Sequence, residues 1–160
     1  MTSSWDDIFN SFYFKVQNCP EFFNYYNVCE EEAMDLAKER ATGLLIESIS
    51  RINFQCIPDV DFHDYDLSSE QFNFEVTDDE VDLFAELMFE RFLAKDMAKL
   101  RVFPNILSSQ DLKYAFSGAN ERTSFISMFS KLQEDNKALI KAYVSKDRLT
   151  GKRKFPEYSL

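Results

Sequence analysis

The chain has 160 residues, enough for one domain with a sizeable core, and seventeen Phe, seven Tyr and one Trp can fill it. Only three Gly and four Pro interrupt it, so the composition points to long helices rather than many tight turns. Twenty-eight acidic residues against 18 basic ones give a formal charge of −10, which excludes general affinity for nucleic-acid backbones or anionic membranes, since both require clustered Lys and Arg.

Met1 to Asp7 lacks a basic region followed by an apolar run, and no stretch approaches the roughly 18 apolar residues that span a bilayer. The expectation is a chain neither exported nor membrane-embedded. Cys19, Cys29 and Cys56 are irregularly spaced, without a CxxC pair, which favours reduced thiols used in packing.

Ser4 followed by Asp7 resembles a capping box with a shortened acid, and Trp5, Ile8, Phe9 and Phe12 then share one helical face. This first helix should fade at Asn18-Cys19-Pro20. The aromatic run Phe22, Phe23, Tyr25 and Tyr26 reads as core packing. Glu30, Glu31 and Glu32 suit the positive end of a second helix. Its stripe is Ala33, Leu36, Ala37, Arg40, Leu44, Leu45, Ile49 and Ile52. Gly43 inside it costs up to about 1 kcal/mol, a cost that close approach of another helix would explain.

Between Arg51 and Arg91 there is no Lys or Arg but twelve acids, Asp59, Asp61, Asp64 and Asp66 among them. Residues 55–76 are the longest non-helical candidate, with Phe72, Phe74 and Val76 alternating as in a short strand. Asp59, Asp61 and Glu70 fall at calcium-loop spacing, as do Asp64, Asp66 and Glu75, yet Asp64 or Ser69 occupies the place of the sharp-turn glycine. The reading is therefore a solvated acidic loop, with no metal and no cofactor. His63 is the single histidine and has no nucleophile motif beside it, and no glycine cluster could cradle phosphate, so no catalytic residue is assigned.

Thr77-Asp-Asp-Glu80 is a full capping box opening a third helix, with Val81, Phe84, Leu87, Met88 and Phe92 on its inner face. That helix should end near Leu100, ahead of Pro104, with Lys95, Lys99 and Arg101 at its negative end. A further long helix follows, capped at Ser117, with Phe125, Phe129, Leu132, Gln133, Ile140 and Tyr143 as its stripe. The predicted fold is an all-α single-domain helical bundle over residues 1–145. It has about four main helices, two of them long, and a long acidic loop. Residues 146–160 form an extended basic tail, either untethered and solvated or suited to docking in a partner groove, with Lys152, Arg153, Lys154, Phe155, Tyr158 and Leu160 as the candidate docking residues.

Ser108-Ser-Gln-Asp-Leu-Lys-Tyr-Ala-Phe-Ser-Gly-Ala-Asn120, the stripe after it and Lys146-Asp-Arg148 together resemble a known pattern. With Thr77–Glu80, Leu87-Met88 and Phe92-Leu93 upstream, the resemblance covers Thr77 to Arg148. It is to small proteins encoded among the structural genes of tailed bacteriophages of Gram-positive bacteria, which sit with the head–tail connector, or adaptor, family. Ala115-Phe116-Ser117 departs from the more polar residues of those proteins, and the first 76 residues match none of them.

The resemblance implies a virion neck protein, made in the bacterial host cytoplasm, that forms a ring of 12 copies beneath the portal protein. The ring would continue the DNA channel to a tail-side neck or tail-completion protein. DNA would pass without specific binding, kept off the wall by acids such as Asp59, Asp61, Asp64 and Asp66. The basic tail would dock on the portal. The reading from another class is a small acidic phage regulator or DNA mimic that blocks a host protein.

Overall fold

A computed structural model describes residues 2–23, 25–106 and 119–154, without the side chains of residues 20, 21, 96–106 and 119–122. The elements in order are β1 (Ser3–Ser4), α1 (Asp6–Val16), α2 (Pro20–Phe23), α3 (Glu30–Gln55), β2 (Tyr65–Asp66), β3 (Gln71–Phe72), α4 (Asp78–Ile106) and α5 (Ala119–Val144). The expected Ser117 cap lies outside the described residues, as do Phe155, Tyr158 and Leu160.

The chain is mostly helical, and the all-α expectation is corrected by a small antiparallel sheet of order β1-β3-β2. Ser3 and Tyr65 both pair with Phe72, and Ser4 and Asp66 with Gln71. Of the alternating Phe72, Phe74 and Val76, only Phe72 lies in a strand, and the sheet as a whole, with two residues per strand, is too short for its pairing to register in the sequence. The N-terminal strand, with the Trp5 N–H donating to the Glu70 carbonyl at 3.0 Å, pulls the acidic loop onto the body. The long non-helical stretch is therefore an ordered layer, and its Phe62 and Phe72 are fully buried.

Helix α4 lies at the centre and packs against α1, α3 and α5. Its Leu83, Phe84, Leu87, Met88 and Phe92 are buried, as the capping box and spacing predict. Phe84 stacks on Phe72 at 5.8 Å and meets the edge of Phe62 at 5.0 Å, which ties the sheet layer to the bundle. Burying a side chain of this size contributes roughly 1.5–3 kcal/mol. Farther along, Phe92 meets Phe22 at 5.5 Å, and the Arg40 guanidinium lies 4.8 and 5.1 Å from those two rings, a cation–π use of a stripe position read from its aliphatic stem. Phe22 is buried as expected, but Tyr26 in the same aromatic run is 97% exposed.

Three local expectations change. Ser4 does not form a capping box: its hydroxyl accepts the Asp6 N–H at 3.2 Å and donates to the Asp6 carboxylate at 2.7 Å, a tighter turn about Trp5. Helix α4 passes Pro104 and ends at Ile106, because a proline in a last turn removes one hydrogen bond without preventing the helical path up to it. Gly43 is exposed on α3, and a Cβ there would meet nothing within 4 Å, so no helix approaches it. Among the described residues no helix is long and apolar enough to cross a membrane.

With open space around Gly43, Gly43→Ala gains helix propensity without a clash, and should raise the unfolding free energy by about 0.5–1 kcal/mol. Urea titration of the two chains checks this; an unchanged or lowered midpoint contradicts it.

Candidate functional site

At one end of the bundle the first turn of α4, the last turn of α5 and the segment after α5 converge on the Glu80 carboxylate, which is fully buried. The capping box puts it there. The Thr77 N–H donates to Glu80 Oε2 at 2.8 Å, and the Glu80 N–H lies 3.4 Å from Thr77 Oγ1. A capping box uses only part of the acceptor capacity of a carboxylate. The remainder is taken by Tyr143, whose Oη donates to Oε1 at 2.6 Å, and by Arg148, whose Nε and Nη2 donate to Oε1 and Oε2 at 2.6 and 3.0 Å.

Arg148 makes a two-pronged pair of the kind that suits guanidinium and carboxylate. Its Nη2 also donates to the Glu75 carbonyl, and its guanidinium sits 5.3 Å over the Phe74 ring. Burial works against the Arg148 charge, but the Glu80 hydrogen bonds and charge outweigh it and raise the pKa. Burial, then the hydrogen bond to Glu80, pushes the Tyr143 phenol well above its ordinary range, so it stays protonated as a donor.

The predicted extended arm is corrected over residues 146–154, which fold back as a compact turn. The Asp147 N–H donates to the Lys152 carbonyl at 2.7 Å and the Lys154 N–H to the Ser145 carbonyl at 2.8 Å, with Lys146 and Arg153 bridged antiparallel. Asp147 Oδ1 accepts from the Thr150 N–H at 2.8 Å and its hydroxyl at 2.6 Å, and these bonds hold its carboxyl below the usual range. Gly151 occupies the left-handed region at φ +65°, where a side chain would be strained. Of the docking candidates, Lys152 and Arg153 are exposed in this turn, and the Lys154 ammonium pairs with Asp59.

The four candidate channel acids are all at the surface, but each also shapes the loop. Asp59 takes Lys154 and, at 3.3 Å, the Arg148 N–H. Asp61 accepts the His63 N–H at 2.9 Å, and Asp64 accepts Asn73 Nδ2 at 2.6 Å. Asp66 accepts the Ser68 hydroxyl and N–H at 2.7 and 2.8 Å, which lowers its pKa. His63 Nδ1 is 2.6 Å from Asn53 Nδ2, a contact that pins the loop to the end of α3. Among the described residues no three or more of His, Cys, Asp and Glu gather so as to hold a metal ion.

Beside the Glu80 junction a cleft of about 390 Å³ opens between α1, α4, α5 and the turn, with Leu83, Leu139 and Tyr143 as its apolar wall. Lys15 and Glu86 in its wall pair at 2.6 Å, leaving Asp79, Asp82 and Lys146 as further charged groups on its rim. Deeper in the bundle, Arg51 and Glu90 pair at 2.5 Å with both side chains nearly buried, and Asn136 Nδ2 donates to Glu90 at 2.8 Å.

Sequence reading did not find either buried pair. For the second there was a signal: Asn136 falls on the α5 stripe, seven residues after Phe129 and four before Ile140, where a polar residue implies a buried polar partner. For the first, the surplus acceptor capacity of a capping-box acid was the only hint.

Removing one partner of a buried pair strands the other charge. Arg148→Ala should therefore cost about 3–5 kcal/mol in urea unfolding, and Glu80→Gln combined with Arg148→Met should cost less than the two single changes summed. A loss below about 1 kcal/mol for Arg148→Ala would mean that the pair does not hold the segment. No family model, curated protein or solved structure matches the chain, so the site stands on its own geometry.

Proposed function

We propose that this chain is a structural head–tail connector subunit of a tailed bacteriophage. It assembles as a homo-oligomeric ring beneath a portal protein and carries no catalytic chemistry. The observation that carries the reading is the convergence of residues from separate parts of the resemblance at one point. Thr77 and Glu80 open the matched region and Tyr143 and Arg148 close it, and all four meet around one buried carboxylate.

The charge distribution fits the same role. An acidic surface repels the phosphate backbone, so a wall bearing Asp61, Asp64 and Asp66 would let DNA slide without adhering. Asp59 is better spent on Lys154 than on the channel. With residues 146–154 folded as a turn, the reading assigns portal docking to Phe155, Tyr158 and Leu160, and Lys152 and Arg153 are exposed charges beside them in sequence.

The test is cosedimentation of the purified chain with assembled portal rings or with DNA-filled heads lacking tails. The full chain should bind and permit tail joining, whereas a chain ended at Lys154, folded as judged by its thermal melt, should not bind. Failure of the full chain to bind, or equal binding by the shortened chain, overturns the reading or its docking segment respectively. Capture of a host enzyme instead of the portal would favour the acidic regulator.

A further inference from the structure

The cleft beside the Glu80 junction brings two kinds of group onto one continuous wall. Leu83, Leu139, Ala142 and Tyr143 form its apolar part, and Leu139 remains 43% exposed. Among the charged groups that line it, Lys15 is matched by Glu86 and Arg148 by the Glu80 carboxylate behind it, both at 2.6 Å. That leaves the carboxylates of Asp79, Asp82 and Asp147 against the single ammonium of Lys146, a surplus of two negative charges beside apolar surface. Asp147 accepts hydrogen bonds from Thr150 and keeps its charge. Leu149, 79% exposed, stands in sequence between Arg148 and Gly151, which both line the cleft.

We propose that this cleft receives a Lys or Arg side chain from a partner polypeptide that carries apolar residues on either side of the base. Such a side chain has an aliphatic stem for the Leu83–Leu139–Tyr143 wall and a cationic head for the surplus carboxylates. A carboxylate or phosphate would meet like charge there, and a wholly apolar group would strip water from Asp79 and Asp82 without replacing it. The volume of about 390 Å³ lies at the lower end of the range for ligand clefts, room for one long side chain rather than a folded element. A polypeptide fits better than a free amine or guanidine, because Leu139 and Leu149 stay exposed beside the cleft and only flanking residues would cover them. The inference stands on the cleft alone and does not depend on the connector reading.

The experiment titrates the isotopically labelled full chain with the capped peptide Ala-Leu-Arg-Leu-Ala, with the same peptide carrying Glu in place of Arg, and with butylguanidine. The amide shifts of Leu139, Ala142 and Gly151 are followed by NMR. The arginine peptide should shift these amides with a Kd of about 1 mM or below, about tenfold tighter than either comparison compound. Raising sodium chloride from about 0.05 to 0.5 M should weaken it several-fold. Asp79→Asn combined with Asp82→Asn should weaken it about fivefold. Leu139→Lys keeps both acids but places an ammonium of the chain's own in the cleft, and should abolish binding. No shift at these amides up to about 10 mM peptide, or equal binding of the glutamate peptide, would overturn the proposal. Equal binding of butylguanidine would make the cleft a site for free cations and overturn the polypeptide partner. Unchanged affinity in either variant, folded as judged by its thermal melt, would overturn the placement in this cleft.

Discussion

The buried carboxylate of Glu80 is the constraint on which one whole end of the molecule depends. A lone charge at a fully buried position costs several kcal/mol, so the fold must supply donors for it. It does so from its own capping box, through the Thr77 amide, and from one distant stretch, through the Tyr143 hydroxyl and the Arg148 guanidinium. One side chain thus fixes where α4 begins, how α5 ends against it, and where the chain goes afterwards. Because Arg148 also reaches the Glu75 carbonyl and its backbone reaches Asp59, the acidic loop is drawn into the same junction.

The same arrangement recurs along α4. Glu86 takes Lys15 from α1, and Glu90 takes Arg51 from α3 with Asn136 from α5. Each neighbour of the central helix is therefore positioned by at least one polar contact as well as by apolar packing. Such pairs add little net stability compared with apolar residues of the same size, but they penalise every register in which the charges fail to meet. That division of labour explains how an apolar, Phe-rich core, tolerant of sliding by itself, settles on a single arrangement. It also means that part of the acidic excess is structural, and that only the remainder is available as a solvent-facing field.

Features set by neighbouring residues were legible in the sequence, and features set by distant ones were not. The three glutamates opening α3, the Thr77–Glu80 box and the spacing of Phe84, Leu87, Met88 and Phe92 each act within a turn or two, and the helices they imply are present. The pairing of Ser3 with Phe72 spans most of the N-terminal half, and that of Glu80 with Arg148 spans most of the rest, with no periodicity to announce either. Residues 146–154 read as a free basic tail because Asp59 looked like generic surface acid and Glu80 like a capping-box acid with no distant partner. The left-handed backbone of Gly151 helps close the turn, and a lone glycine in the sequence does not announce that conformation.

For the proposed connector role, the consequence is a shorter docking element on a more rigid base. The turn after α5 belongs to the body, so the proposed docking residues reduce to those beyond Lys154. Amide hydrogen exchange of Asp147, Gly151 and Lys154 tests this most directly, since each N–H donates within the turn. The account predicts that these three amides are protected about as strongly as those in the last turn of α5, and that Arg148→Ala removes their protection. Exchange at the rate of an unstructured peptide in the unaltered chain would contradict it.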